Sequence, residues 1–198
     1  MNKKEAGNKA GRREQRRVER RRASLMWNGI VLGTLVVAAL LVVAYVIANL
    51  RPGALPNEQV IPDEGQGEVP VGTPLTFQND PPSSGTHFEQ PAPWGLAEAV
   101  VEPGYYLNNL ARGGIVILYQ CATDCAAEQA QFADLLKRAP KDTQYNQVKV
   151  LITRYSQPLP APVVALAWGH QLNLAAYDAS TLLTWYKRFV NYGPNNGP

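Results

Sequence analysis

The sequence predicts an α/β protein, in which one transmembrane helix near the N-terminus precedes a small domain with a mixed β-sheet. Three observations support this prediction. An uncharged apolar run of twenty residues comes first, at Gly29–Ala48. Some later segments are continuous apolar runs or alternate apolar with polar residues, which is typical of strands. Others repeat their apolar residues at the helical period. We expect strands at 113–119, 147–155, 163–168 and 172–177, and helices at 126–139 and 180–191.

The apolar run is long enough to cross a bilayer. A helix rises about 1.5 Å per residue, so twenty residues cover about 30 Å, the thickness of the hydrocarbon core. Trp27 and Tyr45 stand near the two ends, where aromatic rings favour the membrane interface. We therefore assign 26–50 to the transmembrane helix. The alternative is a cleaved signal peptide, whose apolar region is usually shorter.

Charge divides the chain at this helix. Residues 1–25 contain ten Lys or Arg and three Glu, whereas the remainder contains nine Lys or Arg and thirteen Asp or Glu. Because short flanks rich in Lys and Arg stay in the cytoplasm, we predict a basic cytoplasmic tail over 1–25 and an extracytoplasmic C-terminal part. The arginine cluster at 12–22 is expected to contact anionic lipid headgroups. Nucleic-acid binding is the alternative, but no aromatic residues are interleaved with the arginines, so we expect no nucleic-acid partner.

A segment rich in proline and glycine follows the predicted helix. Residues 51–79 contain five prolines and four glycines, with only scattered apolar residues. Such a composition buries too little surface to offset the entropy lost on ordering the chain. We therefore predict an extended linker over 51–72 and an extracytoplasmic α/β domain over 73–198.

The domain begins with a proline-rich loop that carries a family signature. Residues 80–95 read DPPSSGTHFEQPAPWG, in which proline and glycine exclude a helix. Further along come Asn109-Leu110, Gly113-Gly114, the run IVILY at 115–119, and the pair Cys121/Cys125. In this order the pieces resemble the motifs of the bacterial domain-of-unknown-function family 3105, from about residue 75 to the end of the chain. The resemblance implies a single-pass protein of the bacterial cytoplasmic membrane, because family members often carry one N-terminal span.

One block departs from the family's pattern. Where the family shows His-Asn-Leu-Glu-His, this chain has Asn108-Asn109-Leu110-Ala111-Arg112. If the family's histidines bind a metal, this chain keeps His87 as one ligand, and only His170 could add a second imidazole. A stable site needs three or four donors. We therefore expect no bound metal, and we expect His87 to form a hydrogen bond within its own loop.

The later elements follow an order similar to that of a thioredoxin-type fold. A strand leads to Cys121 and Cys125, a helix capped by Asp124, a second strand, a proline-rich break at 158–162, a hairpin around Gly169-His170 and a final helix capped by Ser180. Thiol–disulfide exchangers separate their cysteines by two residues, whereas three separate them here. Two cysteines alone on the outer side of a membrane tend to pair, so we predict a structural disulfide between Cys121 and Cys125.

The sequence contains no motif for catalysis or cofactor binding. Gly-x-Ser-x-Gly, His-Glu-x-x-His and phosphate-binding glycine loops are missing, so we expect neither an enzyme nor a cofactor. Our leading hypothesis is a non-catalytic accessory subunit, with the lipid bilayer and other subunits of a larger membrane complex (electron-transfer or photosynthetic, for example) as partners. Its candidate interaction loop consists of Pro81, Pro82, His87, Pro93 and Trp94. The alternative is an extracytoplasmic metal- or thiol-handling protein that uses His87 and Cys121/Cys125.

Overall fold

The computed structural model describes residues 32–45, 53–121 and 125–198, and the chain forms two compact units, Met1–Arg51 and Pro52–Pro198. In the first unit residues 32–45 form helix α1, in which Leu32 is 65% and Leu35 61% exposed. Among the described residues, no helix combines the length and apolar character needed to cross a bilayer. The basic tail over 1–25 and both ends of the predicted span lie outside the described residues.

The second unit contains both strands and helices. The strands are β1 Glu58–Val60, β2 Gln66–Val69, β3 Gly85–Phe88, β4 Gly95–Leu96, β5 Ile115–Tyr119, β6 Val150–Arg154, β7 Val163–Ala167 and β8 His170–Leu174. The helices are α2 Pro103–Ala111, α3 Ala126–Arg138 and α4 Ala179–Phe189. The predicted α/β class is therefore confirmed.

Six of these strands form one mixed sheet in the order β1-β8-β7-β5-β6-β4. β6 is parallel to β5 and β4, whereas β7 is antiparallel to β5 and β8, and β1 is antiparallel to β8. β2 and β3 form a separate parallel pair. The register places Tyr119 of β5 opposite Arg154 of β6, so the carboxyl ends of these two strands lie at one edge of the sheet.

Helices cover both faces of the main sheet. Ile115, Ile117 and Tyr119 of β5 belong to a core cluster with α3 and α4, whereas Val116 and Leu118 belong to a second cluster with α2. All five β5 residues are buried. A strand buried on both faces requires apolar residues throughout, which is why this run shows no polar alternation.

The predicted elements of the C-terminal half are present with slightly different bounds. The predicted cap of α4 is wrong by two residues, because Asp178, not Ser180, holds the N-cap position. The carboxylate of Asp178 accepts hydrogen bonds from the backbone N–H groups of Ser180 and Thr181. The predicted cap of α3, Asp124, lies outside the described residues. Cys125 holds the N-cap position of that helix.

The N-terminal half of the domain differs more from the prediction. The predicted linker is not a free tether throughout, because β1 pairs with β8 and β2 pairs with β3. Backbone hydrogen bonds to the domain thus offset the ordering entropy of these residues. The proline-rich loop contains β3, and helix α2 is an additional element. Pro103 at the start of α2, after the extended Glu102, is a helix-start signal that the sequence analysis missed.

Candidate functional site

The two cysteines lie at the edge where β5 and β6 end. Cys121 follows β5 by two residues, and Cys125 is the N-cap residue of α3. Their sulfurs are joined in a disulfide, with the two Cα atoms 5.6 Å apart. The disulfide therefore lies on the connection between a central strand and the helix that covers it.

The two cysteines differ in exposure. Cys121 is half-buried and lines a groove, whereas Cys125 is only 6% exposed and belongs to the core cluster under α3. The first backbone N–H groups of a helix have no partner within the helix and stabilise negative charge nearby. Cys125 occupies this helix terminus, although its sulfur forms no capping hydrogen bond with the helix N–H groups.

A groove of about 770 Å³ opens beside Cys121. Val100, Leu159 and Pro160 contribute apolar surface to it. Gln120 fixes the proline-rich wall, because its Nε2 donates to the carbonyl of Gln157 at 2.6 Å and its Oε1 accepts from the backbone N–H of Leu159 at 3.5 Å. The wall is thus positioned before any ligand binds.

Arg154 is a site residue that the sequence analysis missed. Of the described residues that line the groove, it alone carries a formal charge. It ends β6 opposite Tyr119, and its side chain is exposed. The salt bridges found in the described part of the chain do not include it. A basic residue at the end of the strand next to the cysteine-bearing connection is the signal that could have identified it.

Tyr119 also lines a second cavity of about 330 Å³, together with Glu128. The Tyr119 hydroxyl and Oε2 of Glu128 are buried, and neither has a hydrogen-bond partner in the described part of the chain. Buried polar groups of this kind usually bind ordered water. Glu128 lies in the first turn of α3, three residues after Cys125. Residues at this spacing are neighbours on a helix surface, so the side chains of Glu128 and Cys125 lie near each other.

His87 is buried on β3. Its Nδ1 lies 2.9 Å from the carbonyl oxygen of Gly85, so the predicted hydrogen bond within the loop is confirmed. Its Nε2 has no hydrogen-bond partner among the described residues and lies 4.0 Å from Oε1 of Glu68. His170 lies on β8, where its Nδ1 is 3.7 Å from Oε1 of Glu58. Within the described ranges, no three His, Cys, Asp or Glu side chains form a group that could hold a metal.

Most of the candidate interaction loop is folded into the domain. Pro81, Pro82 and His87 are buried, so their side chains cannot contact a partner without opening the loop. Pro93 is exposed and Trp94 is half-buried. A role in docking stays a prediction for these last two residues.

The asparagines of α2 hold this loop in place. Asn109 forms two hydrogen bonds of 2.9 Å with the backbone of Ala92, one through Oδ1 and one through Nδ2. Asn108 donates from Nδ2 to the carbonyl of Phe88 at 2.6 Å, and its Oδ1 accepts from Nε of Arg112 at 2.7 Å. Both asparagines are fully buried. Since their amides already have protein partners, these residues support the structure rather than form an open ligand set.

A family model matches most of the second unit, over residues 68–198. This segment contains the proline-rich loop, the asparagine block and the cysteine pair, so the resemblance inferred from those motifs is confirmed. No curated protein and no solved structure matches the chain. Because the matched segment is 131 of the 198 residues, the chain belongs to the family described as Protein of unknown function (DUF3105).

Proposed function

We propose that this protein exchanges thiols and disulfides at Cys121 and Cys125. The observation that carries the proposal is the half-buried Cys121, which lines an open groove while its disulfide partner is buried at the start of α3. A purely structural disulfide requires no groove beside it. This geometry favours the thiol-handling alternative over the accessory-subunit hypothesis, which the sequence alone had favoured.

The order of the elements supports the proposal. β5, α3, β6, β7, β8 and α4 follow one another as in a thioredoxin-type fold, and the four strands lie in the order β8-β7-β5-β6. In such an arrangement the cysteine pair occupies the connection between the first strand and the first helix. Because a fold does not by itself establish a function, the proposal depends on the chemistry of the site.

The exchange balances when a dithiol is the reductant. A substrate thiolate attacks Sγ of Cys121, a new S–S bond forms, and the bond to Cys125 breaks with its electron pair on the sulfur of Cys125. That sulfur then takes up a proton. The second substrate thiol loses its proton and attacks the substrate sulfur of the mixed disulfide, and Cys121 leaves as a thiolate. Two electrons pass to the protein, and the substrate becomes a disulfide.

The surroundings assign a different role to each cysteine. Cys121 is the sulfur that a substrate in the groove can reach. Cys125 is the leaving group when Cys121 is attacked, and its position at the N-terminus of α3 favours the negative charge that it then carries.

We also propose that the domain is extracytoplasmic and that one helix over 26–50 anchors it in the bacterial cytoplasmic membrane. Support comes from the uncharged run at Gly29–Ala48 and from the basic residues that precede it. The disulfide agrees with this location, since disulfides persist mainly in oxidising compartments.

The test is reduction of the full-length chain, purified in a mild detergent. We expect dithiothreitol to reduce the disulfide while the domain stays folded. Cys125→Ser leaves a free thiol at Cys121, which should attack the disulfide form of a cysteine-containing peptide, release one peptide thiol and remain as a trapped mixed disulfide. Mass spectrometry would detect it. Cys121→Ser is the matched control, and its buried Cys125 should react far more slowly. Reduction that requires unfolding of the domain would make the pair structural and reject the proposal.

A second candidate function, a non-catalytic accessory subunit, is favoured by the exposed apolar surface of α1. Leu35, Leu40 and Leu41 are 61%, 63% and 66% exposed. Such a surface is stable when lipid or another helix covers it. Extraction from native membranes in mild detergent tests this role. Stoichiometric co-purification with other membrane subunits is expected, and recovery of a lone monomer would exclude it.

A further inference from the structure

We infer that the groove beside Cys121 binds thiols that carry a carboxylate and that Arg154 recognises this carboxylate. The inference rests on the proposed function and names its substrate class. A peptide-sized thiol fits the available space, because the groove of about 770 Å³ is within the usual range for small-ligand sites.

The charge of Arg154 is available to a ligand. Two other arginines of the domain have acidic partners: Arg138 lies 3.4 Å from Asp134, and Arg188 lies 2.5 Å from Glu58. Arg112 donates hydrogen bonds to Oδ1 of Asn108 and to the carbonyl of Pro198. No salt bridge involves Arg154 within the ranges that the structure describes, and no acid in those ranges lines the groove. A guanidinium presents paired N–H donors whose spacing matches a carboxylate.

The remaining walls combine polar groups with apolar side chains. Val100, Leu159 and Pro160 supply apolar contact. The hydroxyl of Tyr155 is already engaged, because it donates a hydrogen bond to Oδ1 of Asp80. Since both the amide nitrogen and the amide oxygen of Gln120 hold the proline-rich wall, charge recognition falls to Arg154.

The position of Arg154 relative to Cys121 suits this role. Arg154 is opposite Tyr119 in the sheet, and Cys121 is two residues beyond Tyr119 at the same edge. A ligand can therefore place its carboxylate on the guanidinium while its sulfur reaches Sγ of Cys121. The redox step is the same balanced thiol–disulfide exchange, with two ligand thiols as the source of the two electrons.

Rates of disulfide reduction in the full-length chain test the inference. The probes are three small thiols of similar size: 3-mercaptopropionate, which is anionic, 2-mercaptoethanol, which is neutral, and cysteamine, which is cationic. For each thiol the rate with the native chain is divided by the rate with Arg154→Gln, so that differences in thiol reactivity cancel. We expect a ratio of about two- to fivefold for the anion, near one for the neutral thiol and below one for the cation, as for a solvent-accessible charge pair.

Two further measurements sharpen the test. Arg154→Lys keeps the charge and should keep most of the preference for the anionic thiol. Arg138→Gln removes an exposed arginine that lies outside the groove and should change no ratio. The anionic preference should fall towards one in 1 M salt, where charges are screened within about 3 Å. The same rate ratio is then measured with glutathione and with a hexapeptide that has a glutamate next to its cysteine. The probe with the larger ratio shows whether the carboxylate belongs to a free small thiol or to a peptide segment.

The outcomes separate the two proposals. Equal ratios for the three thiols, with measurable reduction in every case, would overturn the role of Arg154 and leave thiol exchange intact. If no thiol reduces the native chain, thiol exchange is rejected, and the inference is rejected with it. An unchanged thermal unfolding curve for Arg154→Gln verifies that a changed ratio does not arise from misfolding.

Discussion

Removal of the disulfide should weaken the domain only slightly. Cys121 and Cys125 are four positions apart, so their bond closes a loop of about five residues. In the chain-entropy model, a loop of this length contributes about 2 kcal/mol, compared with about 3 kcal/mol for a loop of about 15 residues. For a chain of this size, 1 kcal/mol corresponds to about 2–4 °C in Tm. The Cys121→Ser/Cys125→Ser double variant should therefore unfold about 4–8 °C below the native chain.

Thermal unfolding of the full-length chain in detergent, followed by near-ultraviolet circular dichroism, measures this difference. The rings of Tyr119 and Phe132 lie 4.9 Å apart near the cysteines and contribute to the signal. Reductant should lower the Tm of the native chain by the same amount and leave the double variant unchanged. A fall of about 15 °C or more, or loss of the signal at room temperature, would refute the reasoning. The domain could not then stay folded while its disulfide opens during exchange.

Three further predictions concern the stability of the domain. Hydrogen bonds, first among them that from the Thr181 hydroxyl, lower the pKa of Asp178 to about 2. Because this pKa is below the unfolded value of 3.8, the carboxylate of Asp178 stabilises the fold fully above about pH 4, and this stabilisation is lost as the pH falls towards 2. Asp178→Ala should therefore remove this part of the acid-induced fall in Tm and cost about 1 kcal/mol at neutral pH. Gly114→Ala should cost about 1–3 kcal/mol in urea unfolding, since its Cβ would lie 2.1 Å from Cη2 of Trp94. Glu58→Gln should cost about 3 kcal/mol and speed proteolysis near β1, because Glu58 is 5% exposed and paired with an arginine of α4.

Each of these changes has a matched control or a clear contrary result. Asp134→Ala removes an exposed carboxylate from α3 and should change the free energy of unfolding by at most about 0.5 kcal/mol. Gly67→Ala places a Cβ 3.7 Å from Oγ1 of Thr86, which is an ordinary contact, and should be tolerated. The contrary results are an acid-induced fall in Tm that is as large in Asp178→Ala as in the native chain, a Gly114→Ala variant as stable as Gly67→Ala, and a Glu58→Gln variant that resists protease like the native chain.

Local sequence patterns predicted the elements that are either amphipathic or buried on both sides. β5 is a continuous apolar run, and α3 and α4 show the helical period, so their assignment needed no long-range information. Helix α2 was missed because seven of its nine residues are buried, including Asn108 and Asn109. With polar residues inside, no polar stripe identifies its outer face. β1 depends on pairing with β8, far along the chain, and its own sequence gives no strand pattern.

The candidate site was predictable only in part, for a related reason. Composition and compartment were sufficient to predict that Cys121 and Cys125 pair. Arg154 joins the site through the register of β5 with β6, which is a property of the folded sheet. The groove wall depends on hydrogen bonds between Gln120 and the segment around Gln157. Such contacts between distant residues follow from tertiary packing, and no local motif encodes them.

The departure from the family's pattern bears on which part of this fold is functional. The asparagine block lies on α2, which packs on one face of the sheet, whereas Cys125 belongs to the core cluster on the other face. If the cysteine edge is the active part, Asn108→His should leave the rate of disulfide reduction unchanged. It should cost about 1–3 kcal/mol of stability, because the buried carbonyl of Phe88 loses its donor. Reduction rates and urea unfolding of the same variant separate the two effects. A slower reduction at unchanged stability would instead connect the asparagine block to the chemistry.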